Sequence, residues 1–182
     1  MPAALIPERV ETERLVLRRN TAADLAAFVA IWRDPAVWES LMGGGEPNRE
    51  FAAERHAHQV EHWERHGFGL YLVEIGGEVA GWCGPWHPAF IPSLSSEIEI
   101  GWTLGQPFWG AGYATEAATT AAGIAFEHLS PPRTISLIAP SNERSRGVAE
   151  RLAMGRVDEV EIPDSGVLLD VWELRPPSPD MP

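Results

Sequence analysis

The stretch Gln106-Pro107-Phe108-Trp109-Gly110-Ala111-Gly112-Tyr113-Ala114 decides the fold, because it joins two segments with different periodicities. Before it, polar and apolar residues alternate over residues 96–104, which indicates a half-buried β-strand. After it, apolar residues recur at helical spacing over residues 113–129, where Gly123 is the one helix-breaking residue. The glycines of the stretch therefore lie where a strand ends and a helix begins.

The alternating strand has two chemically different faces. The first is apolar and consists of Ile98, Ile100, Trp102 and Leu104. The second consists of Glu97, Glu99, Gly101 and Thr103. Successive side chains of a strand point to opposite faces, so we expect the first face to join the core and the second to carry the carboxylates.

Gly110 and Gly112 suit a phosphate-binding turn. The first backbone N–H groups of a helix lack intrahelical partners and carry the positive end of the helix dipole, so they bind anions. A glycine leaves these donors accessible and tolerates a positive φ. The sequence therefore predicts a phosphate cradle at this position. The alternative is that both residues are ordinary turn glycines.

The class of phosphate ligand is narrowed by what the sequence lacks. The chain contains no lysine, which excludes a P-loop and any Schiff-base mechanism, pyridoxal phosphate chemistry included. A dinucleotide-binding fingerprint requires a third glycine, but Thr115 stands at that position, and the next predicted strand ends in Pro140-Ser141-Asn142. A dinucleotide oxidoreductase, which would bind NAD, is therefore disfavoured.

Residues 109–117, W-G-A-G-Y-A-T-E-A, resemble the GNAT superfamily of acyl-CoA-dependent N-acetyltransferases. The superfamily motif is [QR]-x-x-G-x-[GA] between the fourth strand and the next helix. The longer match is similar to the branch that acetylates the N-termini of ribosomal proteins. Pro107 stands at the first motif position, with Gln106 one residue earlier. The resemblance extends over residues 11–174, and it implies that acetyl-CoA is the co-substrate.

The resemblance also assigns coenzyme-binding residues. In the family, backbone amides hold the coenzyme A pyrophosphate, and the matching residues are Trp109, Gly110, Ala111, Gly112, Tyr113, Ala114 and Thr115. The preceding strand is expected to part from the next one and to bind the pantetheine arm through Ile100, Gly101, Trp102 and Thr103. Asn142 and Ser145 match the family's N-x-x-S, in which the asparagine contacts the coenzyme and the serine can protonate the departing thiolate.

Two carboxylates are candidates for the catalytic base. An amine arrives as an ammonium ion, so a base must remove a proton before the nitrogen attacks. Glu99, or Glu97 on the same strand face, could do this directly or through water; the alternative is that both are solvated surface residues. A backbone N–H near Trp102 would stabilise the oxyanion. Ser145 or water is the candidate acid, because Ala149 occupies the position where many family members have a tyrosine.

Length and composition bound the remaining possibilities. With 182 residues and 45% hydrophobic content, we expect one domain over residues 1–175 and a disordered tail over residues 176–182. No apolar run approaches about 18 residues and no signal peptide is recognisable, so a cytoplasmic protein without membrane association is expected. The single cysteine, Cys83, lies in an apolar run and is interpreted as a buried residue rather than a nucleophile.

The formal net charge of −12 argues against nucleic acid as a partner, since binding its backbone requires clustered positive charge. The charge is compatible with a cationic amine substrate. An acidic surface that keeps the protein in solution explains it equally well.

Histidines recur along one predicted helix. His58, His62 and His66 share a face at four-residue spacing, which would allow metal binding. Without an H-E-x-x-H motif or a cysteine pair, no metal site is expected. The histidines are interpreted as part of a solvated or acceptor-site face, where one of them could shuttle protons.

The remaining segments complete an α+β fold, an α/β/α sandwich with a mixed, mostly antiparallel sheet. About seven strands are predicted, over residues 12–18, 68–75, 78–86, 96–104, 133–139, 157–162 and 167–174, after an irregular arm over residues 1–11. About four helices are predicted, from Asn20 or Thr21 to before Pro35, over residues 49–66, from residue 113 onward, and over residues 143–154. Gly76-Gly77 predicts a hairpin turn, and residues 42–48 a loop. The resemblance implies that the sheet splays between its fourth and fifth strands, where acetyl-CoA binds.

These observations favour an N-acetyltransferase that moves an acetyl group from acetyl-CoA to a primary amine, either a protein N-terminus or a small molecule. A second hypothesis, left open by the missing tyrosine, is a non-catalytic acetyl-CoA-binding sensor or interaction protein. The sequence identifies neither the amine nor the oligomeric state, for which a homodimer is one option.

Overall fold

The computed structural model describes residues 5–42 and 48–176, and at its centre is an eight-stranded sheet. The strands are β1 (Arg9–Glu11), β2 (Val16–Arg19), β3 (Tyr71–Ile75), β4 (Glu78–Trp86), β5 (Glu99–Leu104), β6 (Thr134–Ile138), β7 (Gly155–Glu161) and β8 (Leu168–Leu174). Their order across the sheet is β1-β2-β3-β4-β5-β6-β8-β7. Within the described residues the α-helices are α1 (Leu25–Trp32), α2 (Pro35–Met42), α3 (Arg49–His66), α4 (Tyr113–Ile124) and α5 (Glu143–Arg151).

The sheet has one strand more than the sequence predicts. β1 lies in the segment predicted to be an irregular arm, and it pairs antiparallel with β2, from Arg9–Arg18 to Glu11–Val16. The prediction was wrong there because a three-residue strand carries no periodicity of its own. Its conformation comes from pairing with the edge of β2.

The structure also has one α-helix more than the sequence predicts. The first predicted helix ends before Pro35 as expected, since α1 ends at Trp32, but Pro35 is also the first residue of α2. The Asp34 Oδ1 accepts a hydrogen bond from the Ala36 N–H (2.9 Å). Proline is favoured at the first helical position, where its missing N–H has no intrahelical partner to lose. The residue that stops one helix therefore starts the next.

Helices cover both faces of the sheet, which confirms the predicted α/β/α sandwich. On one face, α1, α2 and α3 enclose an aromatic cluster that includes Phe28, Trp32 and Trp82. On the other face, the alanines of α4, among them Ala117 and Ala121, pack against the centre of the sheet. Small side chains let the helix backbone approach the strands closely, so the alanine-rich sequence of α4 suits this central position.

The alternation predicted for β5 is confirmed. Ile98, Ile100 and Leu104 belong to the cluster on the α4 side. Gly101 faces the opposite side, since a Cβ added there would lie 3.5 Å from Leu70, a member of the aromatic cluster. The carboxylate face of β5 is thus turned toward the layer of α1, α2 and α3.

The predicted splay lies between β5 and β6. These strands are parallel and pair only at Glu99–Ile135, where the Ile135 N–H donates to the Ile98 carbonyl (2.9 Å). Every other neighbouring pair of strands in the described residues is antiparallel. The splay therefore lies between the two strands for which the family resemblance implies it, and these become the fifth and sixth strands once β1 is counted.

The predicted hairpin turn and the predicted burial of the single cysteine are both present in the structure. Gly76 and Gly77 have positive φ, 61° and 86°, in the turn between β3 and β4. Cys83 is fully buried, and burial raises the pKa of its thiol. None of the helices in the described part of the chain is long and apolar enough to cross a membrane. The predicted loop over residues 42–48 and the predicted tail fall largely outside the described residues, as do residues 1–4.

Candidate functional site

The phosphate loop, residues 109–115, joins the 3-10 turn Gln106–Phe108 to α4. Gly110 and Gly112 both have positive φ, 80° and 81°, a region that residues with a side chain adopt only with strain. Gly112 is the N-cap of α4. The two glycines are therefore required by the backbone path that turns the strand into the helix.

The backbone amides of the phosphate loop are available to a ligand. Among the hydrogen bonds of the described residues, none has an N–H of residues 110–115 as its donor. A Cβ added to Gly110 would meet no atom of residues 5–42 or 48–176 within 4 Å, so these residues leave the space beside the donors open. Unpaired N–H groups at the positive end of a helix dipole suit a diphosphate. The residues present thus fit the pyrophosphate of the predicted coenzyme.

An ion pair between Arg14 and Glu116 holds the first turn of α4 against the segment between β1 and β2. The Glu116 carboxylate accepts hydrogen bonds from the Thr12 hydroxyl (2.5 Å), the Arg14 N–H (3.1 Å) and the Arg14 Nε (2.7 Å). Arg14 Nη1 also donates to the Ala111 carbonyl (2.9 Å), and its guanidinium lies 4.7 Å from the Tyr113 ring centroid. Burial alone would raise the pKa of Glu116, but the hydrogen bonds from Thr12 and Arg14 lower it. Glu116 lies in the W-G-A-G-Y-A-T-E-A segment, but nothing in the sequence indicates its contact with Arg14.

Two arginines of α5 contact the ends of the phosphate loop. The Arg144 guanidinium lies 4.5 Å from the centroid of the Trp109 ring, and Arg151 Nε donates to Thr115 Oγ1 (3.0 Å). The Trp109 indole is fixed in turn by a hydrogen bond from Nε1 to the Leu104 carbonyl (2.7 Å). These cations add positive charge to that of the free amides, which favours an anionic ligand.

Glu99 lies in β5 at the edge of the splay and is 6% exposed. Burial raises its pKa to about 8, an effect opposed by the Leu137 N–H and the Trp86 indole. Neither the Glu99 Oε2 nor the Trp86 Nε1 has a hydrogen-bond partner among the described residues, so the indole lies near the carboxyl without bonding to it. The interpretation of Glu99 as a solvated residue is wrong, because α1, α2 and α3 cover its face of the sheet.

Glu97 is held in an ion pair. Its two carboxylate oxygens accept hydrogen bonds from Arg133, at 2.7 Å from Nη2 and 3.2 Å from Nε. Arg133 also pairs with Glu173 in β8 (2.8 Å), and these two carboxylates raise the pKa of the guanidinium. Glu97 would have to give up its pair with Arg133 to accept a proton, whereas Glu99 has an oxygen free.

Asn142 and Ser145 meet at the start of α5. Asn142 is the N-cap, and its Oδ1 accepts a hydrogen bond from the Ser145 N–H (3.1 Å). Its Nδ2 donates to the Ser40 carbonyl in α2 (3.2 Å). Ser145 is half-buried, and its hydroxyl makes no hydrogen bond within the part of the chain that the structure describes. Ser145 is therefore available to a ligand, whereas the Asn142 amide is already engaged.

Of the three histidines that share a face of α3, His58 is exposed, whereas His62 has structural partners. His62 Nδ1 lies 2.9 Å from the Phe68 carbonyl, and Nε2 accepts a hydrogen bond from the His87 N–H (3.1 Å). Burial lowers the pKa of His62 to about 4 and lowers that of His66, whose ring centroid is 4.5 Å away. Over residues 5–42 and 48–176, no three histidine, cysteine or acidic side chains are grouped to hold a metal ion.

Three residues of this region were not singled out from the sequence. They are Ser136, whose hydroxyl contacts β5, Arg14, which braces the phosphate loop, and Glu116, its partner. Each acts through a contact with a residue far away in the chain. The W-G-A-G-Y-A-T-E-A match was the one available signal, and it concerned Glu116 alone.

Parted central strands with free amides beside them are the features expected of a protein that binds a diphosphate-containing ligand at its sheet. Residues 14–155 match the family model of the acetyltransferase (GNAT) domain. The chain is 28% identical over 143 residues to the uncharacterized N-acetyltransferase p20 of Bacillus licheniformis, covering 76% of this chain and 77% of the relative. It superposes on the crystal structure of an acetyltransferase from Agrobacterium tumefaciens str. C58 with a TM-score of 0.78 at 31% identity, covering 94% and 95% of the two chains. This chain belongs to the GNAT acetyltransferase family.

A third similarity concerns the fold alone. RimL, a ribosomal L7/L12 alpha-N-protein acetyltransferase solved in complex with coenzyme A, superposes with a TM-score of 0.71 at 16% identity. The match covers 93% of this chain and 97% of RimL. The resemblance to the GNAT superfamily and the predicted fold class are confirmed by the family match and by the similarity of the folds.

Proposed function

We propose that this protein is an N-acetyltransferase that moves an acetyl group from acetyl-CoA to a primary amine by direct attack. The observation that carries the proposal is the buried Glu99 carboxyl beside the gap between β5 and β6, one oxygen of which has no hydrogen-bond partner among the described residues. Such a carboxyl contributes no ion pair to the fold and suits proton transfer. Family membership supports the same reaction.

Acetyl-CoA would supply the activated acyl group as a thioester. The free amides of residues 110–115 would hold its pyrophosphate, with Arg144 and Arg151 adding positive charge. Asn142 and Ser145, at the start of α5, would contact the coenzyme as the family's motif implies. Ile100, Gly101, Trp102 and Thr103 would border its pantetheine arm.

The direction of the β5 backbone supports an oxyanion donor at the gap. The Ile98 carbonyl accepts a hydrogen bond from β6, and backbone groups along a strand point alternately to its two neighbours. The N–H of Trp102, four residues on, therefore faces the β6 side, where the strands have parted. It would stabilise the negative charge that develops on the thioester oxygen.

Glu99 would act as the general base. The amine arrives as an ammonium ion, and the Glu99 carboxylate takes one proton from it, directly or through water. The freed nitrogen forms a bond to the acetyl carbon while the carbon–sulfur bond breaks, and the sulfur leaves as a thiolate. The thiolate takes up the proton that the acylated nitrogen loses, through Ser145 or water. A pKa of about 8 is well matched to a protein N-terminus, whose pKa is ~8.

The acceptor is a primary amine, with a protein N-terminus and a small-molecule amine as the two candidate classes. The RimL fold favours testing an N-terminal peptide first. The net charge of −12 would attract either cation to the protein.

The test is release of free thiol from acetyl-CoA over a panel of amines. The panel contains a peptide with a free N-terminus, the same peptide with a blocked N-terminus, a polyamine and an aminoglycoside. Thiol release above the amine-free rate, absent with the blocked peptide, supports transfer to an N-terminus. A non-catalytic sensor would bind coenzyme A in calorimetry and release no thiol with any amine. Thermal stabilisation by NAD in place of coenzyme A would contradict both.

The single domain over residues 1–175, the cytoplasmic location and the homodimer stay predictions. Sedimentation velocity of the full chain measures the mass in solution. A mass near twice 20.0 kDa would support the homodimer.

A further inference from the structure

The Ser136 hydroxyl lies where β5 and β6 part. Ser136 is 2% exposed and directly follows Ile135, the β6 residue that pairs with β5. Its Oγ donates to the Ile100 carbonyl at 2.7 Å. A buried hydroxyl in a central strand is therefore committed to the main chain of the neighbouring strand.

This hydrogen bond replaces one that the splay removes. If the parallel ladder continued past Glu99–Ile135, the Leu137 N–H would donate to the Ile100 carbonyl. Instead the Ile100 carbonyl accepts its hydrogen bond from the Ser136 hydroxyl. Buried backbone groups need partners. The Ser136 side chain thus supplies the partner that the parted strand no longer provides for the Ile100 carbonyl.

The Ile100 carbonyl and the Trp102 N–H belong to consecutive peptide groups of β5. Between them is Gly101, which has no side chain and pairs with a second glycine, Gly84, in β4. Opposed glycines leave the backbone freer to rotate than ordinary strand residues do. The buried hydrogen bond from Ser136 restrains the peptide group between Ile100 and Gly101.

We infer that Ser136 is a positioning residue for acetyl transfer: by holding the Ile100 carbonyl, it fixes the direction of the Trp102 N–H at the gap. The inference rests on the proposed function. Ser136 touches none of the reacting atoms, and it acts through the alignment of the oxyanion donor. A donor whose alignment matters most in the transition state affects kcat more than substrate binding.

The experiment compares Ser136→Val with Ser136→Thr in the full chain. The two side chains have nearly the same shape and crowd the site equally, but only threonine keeps the hydroxyl. Thr134→Val is the matched control, because Thr134 lies two residues earlier in the same strand, is 0% exposed, and its Oγ1 has no partner among the described residues. Each variant is assayed for kcat and for the KM of acetyl-CoA, and its coenzyme A affinity is measured by calorimetry.

We expect Ser136→Val to lower kcat about tenfold or more, since removing one oxyanion donor outright lowers it about 100-fold or more. The KM of acetyl-CoA and the coenzyme A affinity should stay within about twofold, because the phosphate loop holds the coenzyme. Ser136→Thr should restore kcat to within about threefold of the wild type, and Thr134→Val should leave it unchanged.

Equal kcat values for Ser136→Val and Ser136→Thr would overturn the inference. An equally large loss of kcat in Thr134→Val would also overturn it. So would a Ser136→Val variant that loses coenzyme A affinity and keeps its kcat. If Ser136→Val does not fold, Ser136→Ala takes its place in the same comparison. A wild-type chain that releases no thiol with any amine refutes the proposed function and this inference together. An active wild type with equal Ser136 variants refutes this inference alone.

Discussion

At the scale of single residues, Glu99 combines burial with a carboxyl oxygen that has no hydrogen-bond partner in the described part of the chain. As a base it must be ionised, so the kcat/KM of the wild type should rise with pH through an apparent pKa near 8. Glu99→Gln keeps the shape and removes the base, and we expect it to lower kcat about 100-fold or more. Glu97→Gln is the companion variant. If the pH-dependent step disappears with Glu97→Gln and persists in Glu99→Gln, the base is Glu97.

The raised pKa of Glu99 also predicts how the free energy of unfolding changes with pH. The pKa of Glu99 is about 8 in the folded chain, against about 4.3 for a glutamate in the unfolded chain. Because the folded value is the higher one, this group's contribution to the free energy of unfolding is fully present below about pH 4.3 and is lost as pH rises through about 8. Glutamine is neutral throughout, so Glu99→Gln should become progressively more stable than the wild type between about pH 5 and pH 8.5. Urea unfolding at several pH values measures this, and a pH-independent difference would rule out a raised pKa.

At the scale of elements, the start of α4 is where the coenzyme hypothesis can be tested most directly. Gly110→Glu places a carboxylate among the free amides and should weaken coenzyme A binding about tenfold or more, because it competes with the pyrophosphate and repels it. Gly166→Glu is the control: Gly166 also has positive φ, 69°, with no atom within 4 Å of an added Cβ, but it lies in the turn between β7 and β8. Both variants incur similar backbone strain, on the order of 1 kcal/mol. If calorimetry gives equal coenzyme A affinities for Gly110→Glu and Gly166→Glu, the phosphate loop is not part of the binding site.

The end of α5 contains a strained residue outside the proposed site. Ala153 has φ 60°, and the N–H groups of Ala153 and Met154 donate to the carbonyls of Glu150 and Ala149, both at 3.0 Å. This is the Schellman pattern, which favours glycine at the position that Ala153 occupies. Ala153→Gly should therefore raise the free energy of unfolding by roughly 0.5–1 kcal/mol. The measurement is urea unfolding with coenzyme A affinity as a parallel readout, and a loss of stability would show that glycine's freedom in the unfolded chain outweighs the relieved strain.

At the scale of the whole molecule, the features that could be predicted are those set by residues close together in the sequence. The positive φ of Gly110 and Gly112 and the alternation of β5 follow from short segments, and the splay followed from the family resemblance. The burial of Glu99 could not be predicted, because the groups beside its carboxyl, Trp86 in β4 and Leu137 in β6, belong to other strands. The hydrogen bond of Ser136 was missed for the same reason, since its partner in β5 is 36 residues away.

Glu116 and Arg14 join the N-terminal part of the sheet to the proposed coenzyme site across 102 residues of sequence. Their side chains are 18% and 42% exposed, so solvent screens the pair, and a double-mutant cycle with alanine should give a coupling on the order of 1 kcal/mol. Because Arg14 also holds the Ala111 carbonyl, Glu116→Ala should loosen the phosphate loop and weaken coenzyme A binding about threefold or more. The more exposed pair of Arg9 and Glu11 is the control, and Glu11→Ala should change neither quantity. Tighter coenzyme binding by Glu116→Ala would mean that Arg14, once released, binds the phosphates itself, and that its pairing with Glu116 restrains the cation instead of supporting the loop.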